Sequence, residues 1–284
     1  MTAAEKPGPS VADIAYGSAL NQRLDVYLPP DQKGPFPVLV WYGGIWKPAR
    51  HAPDVRRFWA QGIAVVAVGT RTLTDGVDAG EKEPVSYVMK DAIRAVQFLR
   101  LNASKWNLDT ARIAVGGGSQ GSLPALFAGC APEQARPDST DPVERMSSGV
   151  TCVAAYRSQP SIDPVQMQAW VPGVKWGAPA LGCSFEESLR RRDELLPVIR
   201  RWSPDALLHA GAAPTYFENN WGLIQPEGVG LDDYKVHSPA WALGFQQKAA
   251  QAGAVCLVKY PGHDTAGYAD IWDFIVKKLM TPAS

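Results

Sequence analysis

The 284-residue chain has no excess of charge of either sign: lysine plus arginine and aspartate plus glutamate each total 28. Phosphate backbones are held by clustered cations that displace counterions, and no lysine- or arginine-rich tract occurs here, which argues against a nucleic-acid partner. Long hydrophobic runs are missing too. The longest apolar stretches are strand-sized, well short of the ~20 residues a membrane-spanning helix needs, so no membrane partner is expected. Met1 to Ser10 lacks the apolar core of a signal peptide and reads as a flexible leader. An extracytoplasmic location would need a signal segment outside this sequence, a cytoplasmic one would not, and the compartment stays open between them. Cysteine is scarce. Cys130, Cys152, Cys183 and Cys256 have no Cys-x-x-Cys spacing, and two of them fall in strand-like runs. No metal site is expected from them, and they read as small buried apolar residues. A disulfide from Cys130 or Cys152 to Cys183 remains open. There are four histidines, His51, His209, His237 and His263, so every candidate for imidazole chemistry can be weighed individually.

What is present is alternation. Val11 to Tyr16 and Arg23 to Leu28 read as a hairpin, with apolar residues on every second position of the latter. Phe36 to Tyr42 and Ile63 to Val68 are near-continuous apolar runs, as expected for central strands buried on both faces. Pro53 to Gln61 and Pro84 to Asn107 read as helices, the latter with Val85, Val88, Met89, Ile93, Val96 and Leu99 at mostly helical spacing. Further strands are expected at Ile113 to Gly118, Val150 to Tyr156, Pro214 to Phe217 and Val255 to Tyr260. Helices are expected at Ser184 to Arg201, Ser238 to Ala252 and Tyr268 to Leu279. Residues 159–183, rich in Pro, Gly and Trp, interrupt the pattern as a lid-like insertion. No repeat or linker divides residues 11–284, so one domain with a mostly parallel sheet is expected, with helices on both faces. In such sheets ligands sit at the carboxyl ends of the strands.

One of those strands ends in Gly116-Gly117-Gly118-Ser119-Gln120-Gly121, and an apolar helix pattern follows. Three readings fit. Gly117-x-Ser119-x-Gly121 suits a serine on a sharp strand-to-helix turn, where close backbone approach admits only glycine and the helix dipole faces a developing oxyanion. Gly116-x-Gly118-x-x-Gly121 also satisfies a dinucleotide fingerprint, but the acidic residue required about twenty positions on would fall in a loop. A plain turn is the third.

The order of a Gly-Gly turn, Gly-x-Ser-x-Gly, an acid loop and a C-terminal Gly-His resembles the α/β-hydrolase superfamily. More narrowly, it resembles the bacterial esterase/lipase (carboxylesterase-like) branch, with similarity to prolyl-oligopeptidase-like hydrolases. Asp25-Val26-Tyr27-Leu28-Pro29, Tyr42-Gly43-Gly44-Ile45-Trp46, Asp91 to Arg100, Leu108-Asp109 with Arg112-Ile113, Ser203-Pro204 and Tyr260-Pro261-Gly262-His263 carry the resemblance. It implies an eight-stranded, mostly parallel sheet and a serine carboxylic-ester hydrolase working through an acyl-enzyme, without cofactor or metal. The substrate would be a small-molecule ester with a short acyl or small aromatic group, acetyl or feruloyl esters of polysaccharides among them. A peptidase or thioesterase of the same fold, or a non-catalytic binding protein built on it, is the alternative.

Carried over residue by residue, Ser119 is the nucleophile and His263 the general base. His51 follows the Gly-Gly turn but lies beyond it, His209, before a strand, reads as structural, and His237, in the acid loop, is a minor alternative base. The acid that orients the imidazole is Asp233, from its Asp-x-x-Val spacing, with Asp232 and then Glu218 as alternatives. The oxyanion donors are the backbone N–H groups of Gln120 and of Gly44 or Ile45. Tyr42 stands where the family has histidine, and Ile45 where it has glycine, which would bring a bulky side chain to the acyl site. Trp46, Trp170, Trp176 and Trp221 are equally readable as packing residues and as the substrate-lining wall.

Overall fold

A computed structural model of the chain describes residues 6–265 and 267–281. The first half of the expected leader, residues 1–5, lies outside them. Eight strands form one sheet: β1 (Val11–Ala15), β2 (Arg23–Tyr27), β3 (Phe36–Tyr42), β4 (Ala64–Val68), β5 (Leu108–Gly118), β6 (Cys152–Tyr156), β7 (Thr215–Glu218) and β8 (Cys256–Lys259). Their order is β1-β2-β4-β3-β5-β6-β7-β8. The β1–β2 and β2–β4 pairings are antiparallel, and the others run parallel.

Every residue of β3 is buried, as its unbroken apolar sequence requires of a strand covered on both faces. The strand's two-residue period divides it: Val38, Val40 and Tyr42 join one core, Leu39 and Trp41 the other. Helices Val85–Leu101, Ser122–Cys130 and Ala240–Ala252 pack on the first face, and Val55–Trp59 and Ile271–Met280 on the second.

The parallel register decides where the carboxyl ends fall. Tyr42 pairs with Gly117, Gly118 with Tyr156, Tyr156 with Glu218, and Glu218 with Lys259. The loops starting at Gly43, Ser119, Arg157, Asn219 and Tyr260 therefore leave one edge of the sheet side by side.

Several local expectations change. The helix expected from Pro84 to Asn107 ends at Leu101 because Asn102 leaves helical geometry (φ −103°) and bonds back to the Phe98 carbonyl. A separate short turn of helix, Ala103–Trp106, follows and stops at the left-handed Asn107. The helix expected over Ser184 to Arg201 is two, Phe185–Arg190 and Arg192–Trp202, separated at Arg191. Helix Leu73–Asp78, capped by a reciprocal Thr72–Asp75 box, is an element the apolar pattern does not reveal. The acid loop after β7 contains its own helix, Leu231–Val236. Within residues 159–183, Ile162, Met167, Val174 and Leu181 are buried in the main core, so the segment is a packed layer rather than a loose cover. All four cysteines are free thiols, with Cys130 and Cys152 fully buried.

Candidate active site

Ser119 sits at the first residue past β5, at the start of a 3-10 turn that leads into helix Ser122–Cys130. Its φ is +49°, a left-handed conformation that a side-chain-bearing residue adopts at a cost, and such strain collects at functional sites. The flanking glycines explain why the turn is possible. A Cβ on Gly117 would lie 2.1 Å from the Gly121 carbonyl oxygen, and one on Gly121 2.3 Å from that of Tyr42. The first contact is the turn closing on itself. The second is the new helix passing against the end of β3.

The Ser119 hydroxyl meets His237, with 2.8 Å between Oγ and Nε2. On the far side of the ring, Nδ1 lies 2.8 Å from Asp233 Oδ1. Asp233 and His237 are four residues apart at the end of one short helix, whose backbone His237 N–H donates to the Asp233 carbonyl. That spacing puts both side chains on one strip of the helix surface. The backbone of His237 is held in turn by Asn219, whose Nδ2 donates to the His237 carbonyl at 2.7 Å. Burial pushes the His237 ring below the usual imidazole range. The Arg157 cation pushes the same way, and the Asp233 carboxylate opposes both.

The imidazole that the structure brings to Ser119 is that of His237 and not that of His263. His263 follows β8 as expected, but it lies exposed in a turn, paired through its backbone with Tyr260 and stacked on that ring at 4.9 Å. The loop after β7 carries the helix Leu231–Val236, and His237 at its end is the imidazole within hydrogen-bonding distance of Ser119. The sequence signal for this pair is Asp233-x-x-x-His237, an i,i+4 spacing that overlaps the Asp-x-x-Val pattern. Asp232 is exposed on the same helix, and the carboxylate on the ring is that of Asp233. Glu218, the third candidate acid, accepts from the Ile271 N–H at the start of the last helix.

The turn after β3 is built on close approaches as well. A Cβ on Gly43 would lie 1.8 Å from the Ala49 carbonyl oxygen. Tyr42, in the family's histidine position, is fully buried and donates its hydroxyl to the Ala92 carbonyl at 2.8 Å, which anchors the strand end. Gln120 ties this turn to the serine's own: its Oε1 accepts from the N–H groups of both Ile45 (2.8 Å) and Trp46 (3.0 Å). Ile45 therefore cannot serve as an oxyanion donor in this arrangement, because its N–H is already engaged. Its side chain is fully buried and its carbonyl accepts from Leu73, so it does not narrow an acyl site. Gly44, next to it in the turn, packs close to the Gln120 side chain, where a Cβ would lie 3.2 Å from Oε1.

The four tryptophans separate. Trp176 is buried and packs edge-on against Trp46 and Trp241. Trp170 packs against Trp241 and covers Gly244, where a Cβ would lie 2.3 Å from the indole. Trp176 belongs to the core, and Trp46 and Trp170 are partly buried residues packed against it. Trp221 alone stands in the candidate site, edge-on to His237 at 6.0 Å and under the Arg157 guanidinium at 3.5 Å. Among the described residues no group of histidine, cysteine, aspartate and glutamate could hold a metal ion.

The model of the BD-FAE family matches residues 24–167, half of the chain, including β2 to β6, the Gly-Gly turn and Ser119. The chain belongs to the BD-FAE family. It is also 31% identical over 148 residues to a protein of Oryza sativa subsp. japonica named probable isoprenylcysteine alpha-carbonyl methylesterase, a match covering 50% of this chain and 33% of that one. The chain thus spans about a third of that relative's length. Among solved structures, this BD-FAE member is similar to a truncated carbohydrate esterase from gut microbiota, with a TM-score of 0.67 at 19% identity, covering 97% of this chain and 100% of the other. An acetyl ester-xyloside bifunctional hydrolase from Caldicellulosiruptor lactoaceticus aligns with a TM-score of 0.61 at 18% identity over 89% and 86% of the two chains. Thermogutta terrifontis esterase 2, phosphoramylated by tabun, gives 0.58 at 18% identity over 90% and 83%. These likenesses establish the α/β-hydrolase fold. No helix among the described residues is long and apolar enough to cross a membrane.

Proposed function

We propose that this BD-FAE member is a serine carboxylic-ester hydrolase, a single α/β-hydrolase domain with Ser119, His237 and Asp233 as its triad. The observation that carries the reading is the continuous hydrogen-bonded chain from the strained Ser119 through His237 to Asp233, at 2.8 Å in each link. A free hydroxyl is a poor nucleophile at neutral pH, and an adjacent base oriented by a third group is what activates it. The depressed proton affinity of His237 keeps the imidazole neutral, the form a base must have.

Ser119 Oγ attacks the ester carbonyl carbon as its proton passes to His237 Nε2. The oxygen that becomes negative is received by the Gly44 and Gln120 N–H groups, at the positive end of the helix that begins behind the serine. Collapse of the tetrahedral intermediate returns the proton from His237 to the departing alkoxide and leaves an acyl-enzyme. Water, deprotonated by His237, then attacks the acyl carbon, and His237 gives that proton to Ser119 Oγ as the acyl–oxygen bond breaks and the acid leaves. Asp233 accepts from Nδ1–H throughout, fixing the tautomer that leaves Nε2 free to accept. The substrate is a small-molecule ester with a short acyl or small aromatic group. Acetyl or feruloyl esters of polysaccharides fit by analogy with the carbohydrate-directed fold relatives, and a methyl ester with the plant relative.

The test is labelling with an active-site phosphonate and turnover of 4-nitrophenyl acetate, comparing wild type with Ser119→Ala. Stoichiometric labelling and a burst of nitrophenol, both lost in the variant, are expected. A wild type that neither labels nor turns over would refute the reading.

A further inference from the structure

Arg157 is the first residue past β6, as Ser119 is the first past β5, and Gly118 and Tyr156 just before them are paired across the two strands. Adjacent parallel strands lie about 4.8 Å apart, so Arg157 and Ser119 leave the sheet edge as neighbours. They share an unusual backbone: φ is +49° at Ser119 and +48° at Arg157. Two non-glycine residues in the left-handed region side by side mean that the fold strains this edge twice, once for the nucleophile and once for a guanidinium.

The surroundings of Arg157 hold that guanidinium in place and leave its charge unmatched. Its backbone N–H donates to the Glu218 carbonyl at 2.9 Å, and its carbonyl accepts from Gln159 Nε2 at 3.1 Å. The guanidinium lies 3.5 Å over the Trp221 ring, and Trp221 is edge-on to His237. Two polar atoms of this turn are sealed from solvent without a partner, Arg157 Nε and Gln159 Oε1, and Gln159 is fully buried. Such orphans are costly and rarely kept without reason. The nearby carboxylates are committed elsewhere, Asp233 to His237 and Glu218 to Ile271, and among the described residues no carboxylate forms an ion pair with Arg157.

With one face covered by Trp221 and Nε sealed, the part-exposed guanidinium can meet a ligand through the edge formed by its two terminal nitrogens, a geometry that binds a carboxylate through two parallel N–H donors. Which end of the ester carries that carboxylate follows from the strand order. The oxyanion turn leaves β3 on one side of Ser119, and Arg157 leaves β6 on the other. Arg157 also shares Trp221 with His237, the group that returns a proton to the leaving oxygen. We infer that Arg157 is a specificity residue that binds a carboxylate on the alcohol portion of the substrate, so that the preferred leaving group is an acidic alcohol, a hydroxy acid or a phenolic acid. This inference rests on the serine-hydrolase reading above.

The test compares kcat/KM for 4-acetoxybenzoate with that for its neutral counterpart 4-acetoxybenzamide in wild type, Arg157→Gln and Arg157→Lys. The readout is the acid-to-amide ratio within each protein, which cancels any general loss of activity. Wild type should favour the acid, and Arg157→Gln should lower the ratio about tenfold or more, the scale of a hydrogen-bonded charge pair, mostly through KM. Arg157→Lys should keep part of it. Equal losses on both esters in Arg157→Gln would overturn the inference, as would a wild type that does not distinguish them. A preference seen instead for 4-nitrophenyl hydrogen glutarate over 4-nitrophenyl valerate would also overturn it, since the carboxylate would then sit on the acyl side. Turnover of the amide without discrimination sinks only this inference, whereas turnover of neither ester removes the hydrolase reading and this one together.

Discussion

Replacing each of two histidines by glutamine separates the structure's arrangement from the one the sequence favoured. His237→Gln removes the imidazole bonded to Ser119, across a 2.8 Å contact. A positioned general base contributes on the order of 10²–10⁴ in rate, or about 3–5 kcal/mol of transition-state stabilisation at 1.36 kcal/mol per decade. The loss should appear in kcat and kcat/KM alike, because the proton moves only on the way to the transition state. The fold should tolerate the change: the hydrogen bonds lost to Ser119 and Asp233 are each worth about 1 kcal/mol net, and Asp233 is itself mostly exposed. His263→Gln removes an exposed ring whose recorded side-chain contact is a stack on Tyr260 at 4.9 Å. Such a pair is worth about 1 kcal/mol of stability, and nothing links it to the reaction. The assay is steady-state and burst kinetics on 4-nitrophenyl acetate, with circular dichroism melts to confirm that both variants are folded. A His263→Gln protein that loses a hundredfold while His237→Gln keeps most of its activity would refute the assignment of the base.

Two further outcomes follow. With a neutral His237 as base, kcat/KM should fall as pH drops through a value below the ordinary imidazole range. In Asp233→Asn the inflection should move still lower, since the carboxylate is what raises it, and the plateau should drop about 10²-fold as the tautomer is no longer held; an unshifted or alkaline-shifted inflection would contradict this. Gly121→Ala should cost about 3 kcal/mol in urea unfolding, because its Cβ would meet the Tyr42 and Gly43 carbonyl oxygens at 2.3 and 2.7 Å, and that strand end is too buried to yield. Gly118→Ala, with ordinary φ (−108°) and nothing within 4 Å of its Cβ, is the control and should be near neutral.

Much of this protein is written in local sequence. The apolar runs of β3 and β4 mark strands buried on both faces, and Gly117-x-Ser119-x-Gly121 between a strand and a helix marks the turn. Both are short-range facts of steric fit and hydrophobic period, so they are legible residue by residue. Asp233, expected from its spacing, is the carboxylate that lies on the His237 ring. The imidazole was not legible in this way. Which of four histidines reaches Ser119 depends on how a long loop folds back across the sheet edge, and only the helix inside that loop brings His237 within hydrogen-bonding reach. The same holds for Ile45, whose N–H is taken by a side chain 75 positions away, and for Trp170 and Trp176, whose neighbours come from a distant helix. Arg157 carries no sequence signal at all. A lone arginine after a strand becomes notable only when the parallel register sets it beside Ser119 with its charge unmatched. The sequence by itself determined the buried strands and the turn that carries Ser119. Long-range packing decided what that serine touches, because contacts between loops are set by the sheet that aligns them and not by the residues adjacent in the chain.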